Sequence, residues 1–211
     1  MKKTTKEYLD ANRLEIHFDS GEKIYKQGFF PNGIFCLDKG KVMTTKMGDS
    51  GNSLMTNLYK GIAYLGLEDF VLKKPYANTC IALEGSRLYF HKATVISDVM
   101  EYDCALPKNM LLYVSGQIGH YTERLVLLTQ KNMAARLAHT LLEIADTFGV
   151  DDDGFLNVRL KRSHIAEMSC ISVSNTIRNL SIFSKDGFID LQKKKIRIRD
   201  KRRLLNCVEA G

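Results

Sequence analysis

Apolar residues in the first hundred positions come in short runs separated by turn-forming clusters. Between His17 and Gly66 these clusters are Ser20-Gly21, Pro31-Asn32-Gly33, Lys39-Gly40, Asp49-Ser50-Gly51 and Lys60-Gly61. A spacing of roughly ten residues between turns predicts a meander or jelly-roll barrel of short strands. Two more strands are expected at 79–83 and 87–91, around the turn Glu84-Gly85-Ser86.

From about Lys108 the apolar period changes. Leu111, Val114, Ile118, Tyr121, Leu125 and Leu128 follow one another at alternating steps of three and four. That is an a/d heptad stripe on a single helix, and such a seam pairs with a copy of itself in a parallel dimer. A second helix is expected from about Asn132 to Phe148, carrying Leu137, Leu141, Leu142 and Ile144. Gly149 is its expected C-terminal cap, Asp153-Gly154 a tight turn, and "FLNVRL" a short strand.

The stretch "SHIAEMSCISVSNTIRNLS" then breaks a helix after a turn and a half and restarts it at once. Ser163 is placed to N-cap the first short helix and Ser172 the second. Ile165, Met168, Ile171, Ile177 and Leu180 are expected to face inward, leaving Val173, Ser174, Asn175, Thr176 and Arg178 outward. Small polar residues at a helix N-terminus suit close approach to base edges, and one long Arg suits bidentate reading of guanine. A hairpin follows: strands at 188–191 and 195–199, with Gln192, Lys193 and Lys194 at the tip. Its second strand turns Ile196 and Ile198 in and Lys195, Arg197 and Arg199 out, as a phosphate-contacting wing would.

Charge sharpens this picture. Residues 155–211 hold 13 Lys and Arg against 5 Asp and Glu, whereas the preceding 154 residues hold 18 against 19. The whole positive excess of +7 therefore sits in the last quarter of the chain, the electrostatic footprint of a polyanion partner. At 211 residues and 45% apolar content, one or two domains with a proper core are expected. No apolar run approaches the length of a membrane span and the N-terminus lacks an apolar signal segment, so a cytoplasmic protein without membrane partners is expected. The five cysteines (Cys36, Cys80, Cys104, Cys170, Cys207) form no C-x-x-C pair, which argues against a zinc ribbon, a redox dithiol or a disulfide framework.

These residues resemble the cyclic-AMP receptor/FNR superfamily of bacterial transcription regulators over nearly the full chain. "FDSGEKIYKQGFFPNGIFCLDKGKV" is similar to the family's sensor-barrel opening, with Gly21, Glu22, Gly28 and Gly40 at the turns; "YANTCIALEGSRLYF" is similar to its later strands. "IAEMSCISVSNTIRNLSIFSKDGFI" aligns without gaps to its helix-turn-helix, except that Cys170 stands where the family usually has Gly. The resemblance implies an α+β chain: a double-stranded β-helix (jelly-roll) sensor barrel over 1–107, a dimerisation helix over 108–131, and a winged helix-turn-helix over 132–211. It implies a homodimer reading two half-sites about one DNA turn apart, with RNA polymerase as a further partner. Base-reading positions fall on Val173, Ser174 and Arg178; Arg162, Ser163, Ser172, Thr176, Gln192, Lys193 and Lys194 complete the expected DNA surface.

The controlling signal is less legible. In the cyclic-AMP branch a Glu binds the ribose and an Arg the cyclic phosphate; the matching positions here are Ala63-Tyr64 and Asn78-Thr79, which supply neither charge. The FNR branch holds an iron–sulfur centre on an N-terminal cysteine cluster, and here no cysteine precedes Cys36. No metal or cofactor is expected. A small effector is expected to border Tyr64, Leu65, Asn78, Thr79 and, from the long helix, Tyr121. Two alternatives stay open: a haem sensor of the same fold ligated through His17, His91 or His120, and a cupin-type enzyme, which the lack of an H-x-H pair disfavours.

Overall fold

The computed structural model describes residues 3–211, with side chains from Thr5 onward, so the first two residues of the segment 1–107 lie outside the described residues. The chain forms two compact units, residues 1–47 with 59–122, and residues 48–58 with 123–211.

The N-terminal part of the chain opens with a helix, α1 (Lys3–Ala11), followed by strands β1 (Leu14–Phe18), β2 (Lys23–Tyr25), β3 (Gly33–Lys39), β4 (Lys41–Met47), β5 (Ser53–Lys60, most of it grouped with the second unit), β6 (Ala63–Leu65), β7 (Thr79–Ala82) and β8 (Ser86–Lys92). They make two four-stranded sheets, in the orders β1-β8-β3-β6 and β2-β7-β4-β5. The expected last two strands are β7 and β8. Period-two burial explains the inner face: on β8, Ser86, Leu88 and Phe90 are buried while their neighbours are not. Leu37, Val42, Leu65, Cys80 and Leu88 form the dry centre, and the Phe35 ring packs on Phe90, Phe18 and Tyr25. At the β3–β4 turn Gly40 has φ +108°, and a Cβ there would lie 2.2 Å from the Ser86 hydroxyl, so any other residue would force the two turns apart.

Three helices complete this unit beside α1: α2 (Leu67–Val71), α3 (Ala93–Tyr102) and the start of α4 (Ala105–Gln130). The long helix thus begins three residues ahead of the expected Lys108, with Pro107 tolerated in its first turn. The buried Asp103 carboxylate accepts from the Ala105 N–H at 2.9 Å to start it. A second apolar cluster, Ile34, Leu67, Ile96, Val99, Leu106 and Met110, lies where these helices cover the outer face of the first sheet.

In the second unit, α5 (Met133–Phe148) is N-capped by Asn132, whose side chain accepts from the Ala135 N–H at 3.0 Å. Gly149 ends it with φ 74°. The remaining elements are α6 (Arg162–Ser169), α7 (Val173–Lys185), β9 (Ile189–Gln192), β10 (Lys195–Ile198) and α8 (Lys201–Ala210). "FLNVRL" is not a strand: it contributes only isolated bridges, Val150 to Leu156 and Phe155 to Arg197. The Asp151 side chain organises that loop by accepting from the backbone of Phe155 and Asp153, which competes with extended pairing. Among the described residues no helix is long and apolar enough to cross a membrane.

Arg124, near the end of α4, is buried, and its guanidinium donates to the Met55 carbonyl at 2.7 Å and the Met168 carbonyl at 2.9 Å. One cation thereby joins the 48–58 segment to the end of α6 within the second unit. Arg124→Met should leave both carbonyls unsatisfied and cost about 3 kcal/mol. Urea denaturation followed by circular dichroism checks this; a loss below about 1 kcal/mol would show that water replaces the guanidinium at both carbonyls.

Candidate nucleic-acid interface

Helices α6 and α7 meet at a tight turn. Ile171 N–H bonds the Ala166 carbonyl at 3.1 Å while Cys170 takes a left-handed conformation, φ 52° and ψ 47°. This is a Schellman turn made without the usual glycine. Ser172 caps α7 as expected, its hydroxyl accepting from the Asn175 N–H at 3.2 Å. Ser163 does not cap α6. The cap is Lys161, whose N–H donates to His164 Nδ1 at 3.4 Å, and Ser163 lies inside the first turn. Burial and the nearby Lys161 lower the His164 pKa, which favours the neutral ring that can accept this bond.

The inward face of α7 is rotated from the expectation. Thr176, Leu180 and Phe183 are buried, at steps of four and three, and Ile177 is half exposed. Thr176 was expected to face outward; instead its hydroxyl donates to the Ser172 carbonyl at 3.0 Å beneath the helix. Choosing Phe183 over Ile177 buries a ring that stacks on Phe188 at 5.3 Å, and a buried ring outweighs a smaller aliphatic chain. What remains outward is Val173, Ser174, Ile177 and Arg178, with Asn175 half-buried beside them.

The hairpin β9–β10 follows in antiparallel register, Ile189 opposite Ile198 and Gln192 opposite Lys195. Gln192 is therefore the end of a strand, not part of the tip. The tip is Lys193-Lys194 alone, with Lys193 at φ 54°. Ile196 is buried as expected. The outward cations of β10 are held in place by neighbours: Lys195 pairs with Asp151 at 3.2 Å, Arg199 pairs with Asp190, and the Arg197 guanidinium lies 4.3 Å over the Phe155 ring. The Phe155 N–H, aided by Lys195, holds the Asp151 carboxyl below the usual carboxylate range. Arg178, Lys193 and Lys194 are exposed at the surface. Arg162 is half-buried, and its Nη1 has no hydrogen-bond partner among the described residues.

Along α4, Leu111, Ile118 and Leu125 are each more than 60% exposed and Tyr121 is 39% exposed. Val114 packs against the helical cluster of the first unit, and Leu128 is half-buried. The residues expected to border an effector are spread out. Tyr64 faces the outer cluster, edge-on to Tyr113, whose hydroxyl donates to the Tyr64 carbonyl at 3.1 Å. Leu65, its neighbour on β6, points into the barrel core. Thr79 accepts from the Gln27 N–H at 3.1 Å, and Asn78 precedes it half-buried. Of the histidines weighed for haem, His17 contacts Glu15 and His120 lies beside Tyr121. No group of three His, Cys, Asp or Glu side chains among the described residues is arranged to hold a metal.

A barrel followed by a helix-turn-helix with a basic hairpin is the architecture of a DNA-binding regulator. The sequence matches the Crp-like helix-turn-helix domain over residues 135–207 and the cyclic nucleotide-binding domain over residues 15–103. The chain belongs to the cyclic-AMP receptor/FNR superfamily of transcription regulators. It is 24% identical over 205 residues to electron transport regulator A of Shewanella oneidensis, covering 91% of this chain and 81% of that one. It is 23% identical over 196 residues to the transcriptional activator protein FnrA of Stutzerimonas stutzeri, covering 90% and 78%. In fold it is similar to FixK2 from Bradyrhizobium japonicum, with a TM-score of 0.81 at 18% identity over 92% of this chain and 96% of that one. Phe183, α1, α3 and α8 were missed in the sequence; the i, i+4, i+7 step from Thr176 through Leu180 was the signal for the first.

A left-handed residue with a Cβ costs on the order of 1 kcal/mol, partly regained by Cys in the less floppy unfolded chain. Cys170→Gly should raise stability by about 0.5 kcal/mol, read as a higher melting temperature. A lower one would mean that the thiol, which lies 3.8 Å from the Glu167 carbonyl, holds the turn more strongly than the strain opposes it.

Proposed function

We propose that the protein acts as a homodimer on a two-fold symmetric operator, and that its barrel answers to a small effector other than a cyclic nucleotide. The observation that carries this reading is the outward face of α7, where Val173, Ser174 and Arg178 stand free of the core, with an exposed Lys193-Lys194 wing tip in the same unit. Ser174 and Val173 permit close approach to base edges, Arg178 supplies the long bidentate donor, and the wing lysines take phosphates. Arg162, half-buried with an unpartnered guanidinium nitrogen, is a further phosphate ligand at the start of α6. The exposed stripe Leu111, Ile118, Tyr121 and Leu125, flanked by Val114 and Leu128, is the dimer seam, since an apolar row on a solvated helix face is stable only when covered. RNA polymerase is the partner through which such a dimer would act. Ala63-Tyr64 and Asn78-Thr79 offer a cyclic phosphate no cationic partner.

Arg178→Ala should relax discrimination at one base pair per half-site by about 1–3 kcal/mol. Lys194→Ala should weaken every duplex alike and flatten the salt slope by about one unit. Fluorescence anisotropy with a cognate and a scrambled duplex across several salt concentrations separates the two; the opposite assignment of effects would reverse the roles.

Glu placed at both Ile118 and Leu125 should give monomers in sedimentation, because burying two carboxylates in an apolar seam costs far more than the seam gains. A double variant that still sediments as a dimer puts the seam elsewhere.

A further inference from the structure

The outer face of the first sheet is not fully filled by the helices that cover it. Between α1, α3 and the first turns of α4 the covering leaves a cavity of about 340 Å³. This lies on the opposite side of the sheet from the barrel interior, where Leu65 and Leu88 close the core. Its floor is a cross-strand row in which Cys36 stands opposite Tyr89 on one side and Tyr64 on the other, with Ile34 opposite His91 in the next row. Leu9, Ile96, Leu106 and Met110 form the apolar roof. A cavity of this size, apolar with a few convergent polar groups, has the properties of a small-molecule site and not of a packing defect.

Three of the four charged lining residues come from one stretch of chain. Lys6, Asp10 and Arg13 all line the cavity from α1 and the residues just beyond it. Arg13 donates to Asp10 at 2.6 Å and lies 3.7 Å over the Tyr89 ring. Asp38, the fourth, is paired with Arg87. Both carboxylates are thus neutralised by arginines, and Lys6 is an exposed cation without a carboxylate partner among the described residues. His91 contributes a buried Nδ1 with no hydrogen-bond partner among the described residues. Burial first, and then the positive charge of Arg13, lower the His91 pKa and favour the neutral ring. Burial also pushes the Cys36 thiol up to about 11, so it adds no negative charge.

We propose that this cavity binds a small apolar monocarboxylate, its hydrocarbon or aryl body between sheet and helices and its carboxylate at the end lined by Lys6, Arg13 and His91. One anion fits the one lining cation left unpaired among the described residues; the His91 Nδ1–H tautomer supplies a hydrogen bond that those residues leave unmade. The roof includes Leu106 and Met110 of α4, so an occupant would touch the helix that carries the dimer seam. That regulatory consequence rests on the function proposed above; the binding itself does not.

The test is calorimetric titration of the full chain with decanoate and, separately, phenylpropionate, with decanol as the uncharged control. At least one acid should bind saturably, and the choice between them separates an aliphatic from an aryl ligand. Lys6→Glu, a change at the exposed rim, should weaken that acid about tenfold and leave decanol unaltered. Cys36→Phe should fill the cavity and abolish binding, with thermal melting to check that it folds. The site is overturned if neither acid saturates, if decanol binds as tightly as decanoate, or if Lys6→Glu changes nothing. No DNA is present in the titration, so such a failure leaves the DNA-binding reading standing, and the salt titrations can fail without touching the site.

Discussion

Burial of one stripe of α7 is the constraint on which the candidate nucleic-acid interface depends. Thr176, Leu180 and Phe183 pack inward, and a helix that commits those three positions has no freedom left in which residues it presents to solvent. The supports are local and polar as well as apolar. Ser172 caps the helix, Thr176 ties back to the Ser172 carbonyl, and the buried Ser169 hydroxyl meets Thr140 of α5 at 3.1 Å. The solvent face of α7 is thereby fixed by the fold, so that in the proposed reading no affinity is spent on ordering it.

Charge in the second unit is divided between structural and available cations. Lys195, Arg197 and Arg199 of β10 look alike in sequence to Lys193 and Lys194, yet carboxylates and the Phe155 ring engage the first three. Those contacts stiffen the hairpin and hold the two tip lysines out at its end. Net charge alone would overcount the groups free to displace counterions.

The barrel half is built differently. Its interior is closed by side chains that fill the barrel, while the sheet's outer face is covered by helices, α1 the most polar of them, that leave space beneath them. An alternating strand has two faces, and here the apolar alternation of β3 and β8 serves the core while Cys36, Tyr89 and His91, on the other phase, line a cavity.

Much of this was legible in the residues. The rhythm of turn clusters announced the barrel, the Ser172 cap announced the second helix of the helix-turn-helix with the hairpin after it, and the three-four stripe announced the long helix, because each rests on local propensity or period. Tertiary structure decided the rest. Whether Ile177 or Phe183 faces inward depends on which packs against α6 and the hairpin, and periodicity alone permits both. That His164 backs the cap at Lys161, and that Arg124 gathers the carbonyls of Met55 and Met168, follows from residues meeting across long stretches of chain. The cavity under α1 could not be read from sequence at all. Its lining comes from six separate elements, and no local pattern records the space that is left when they pack.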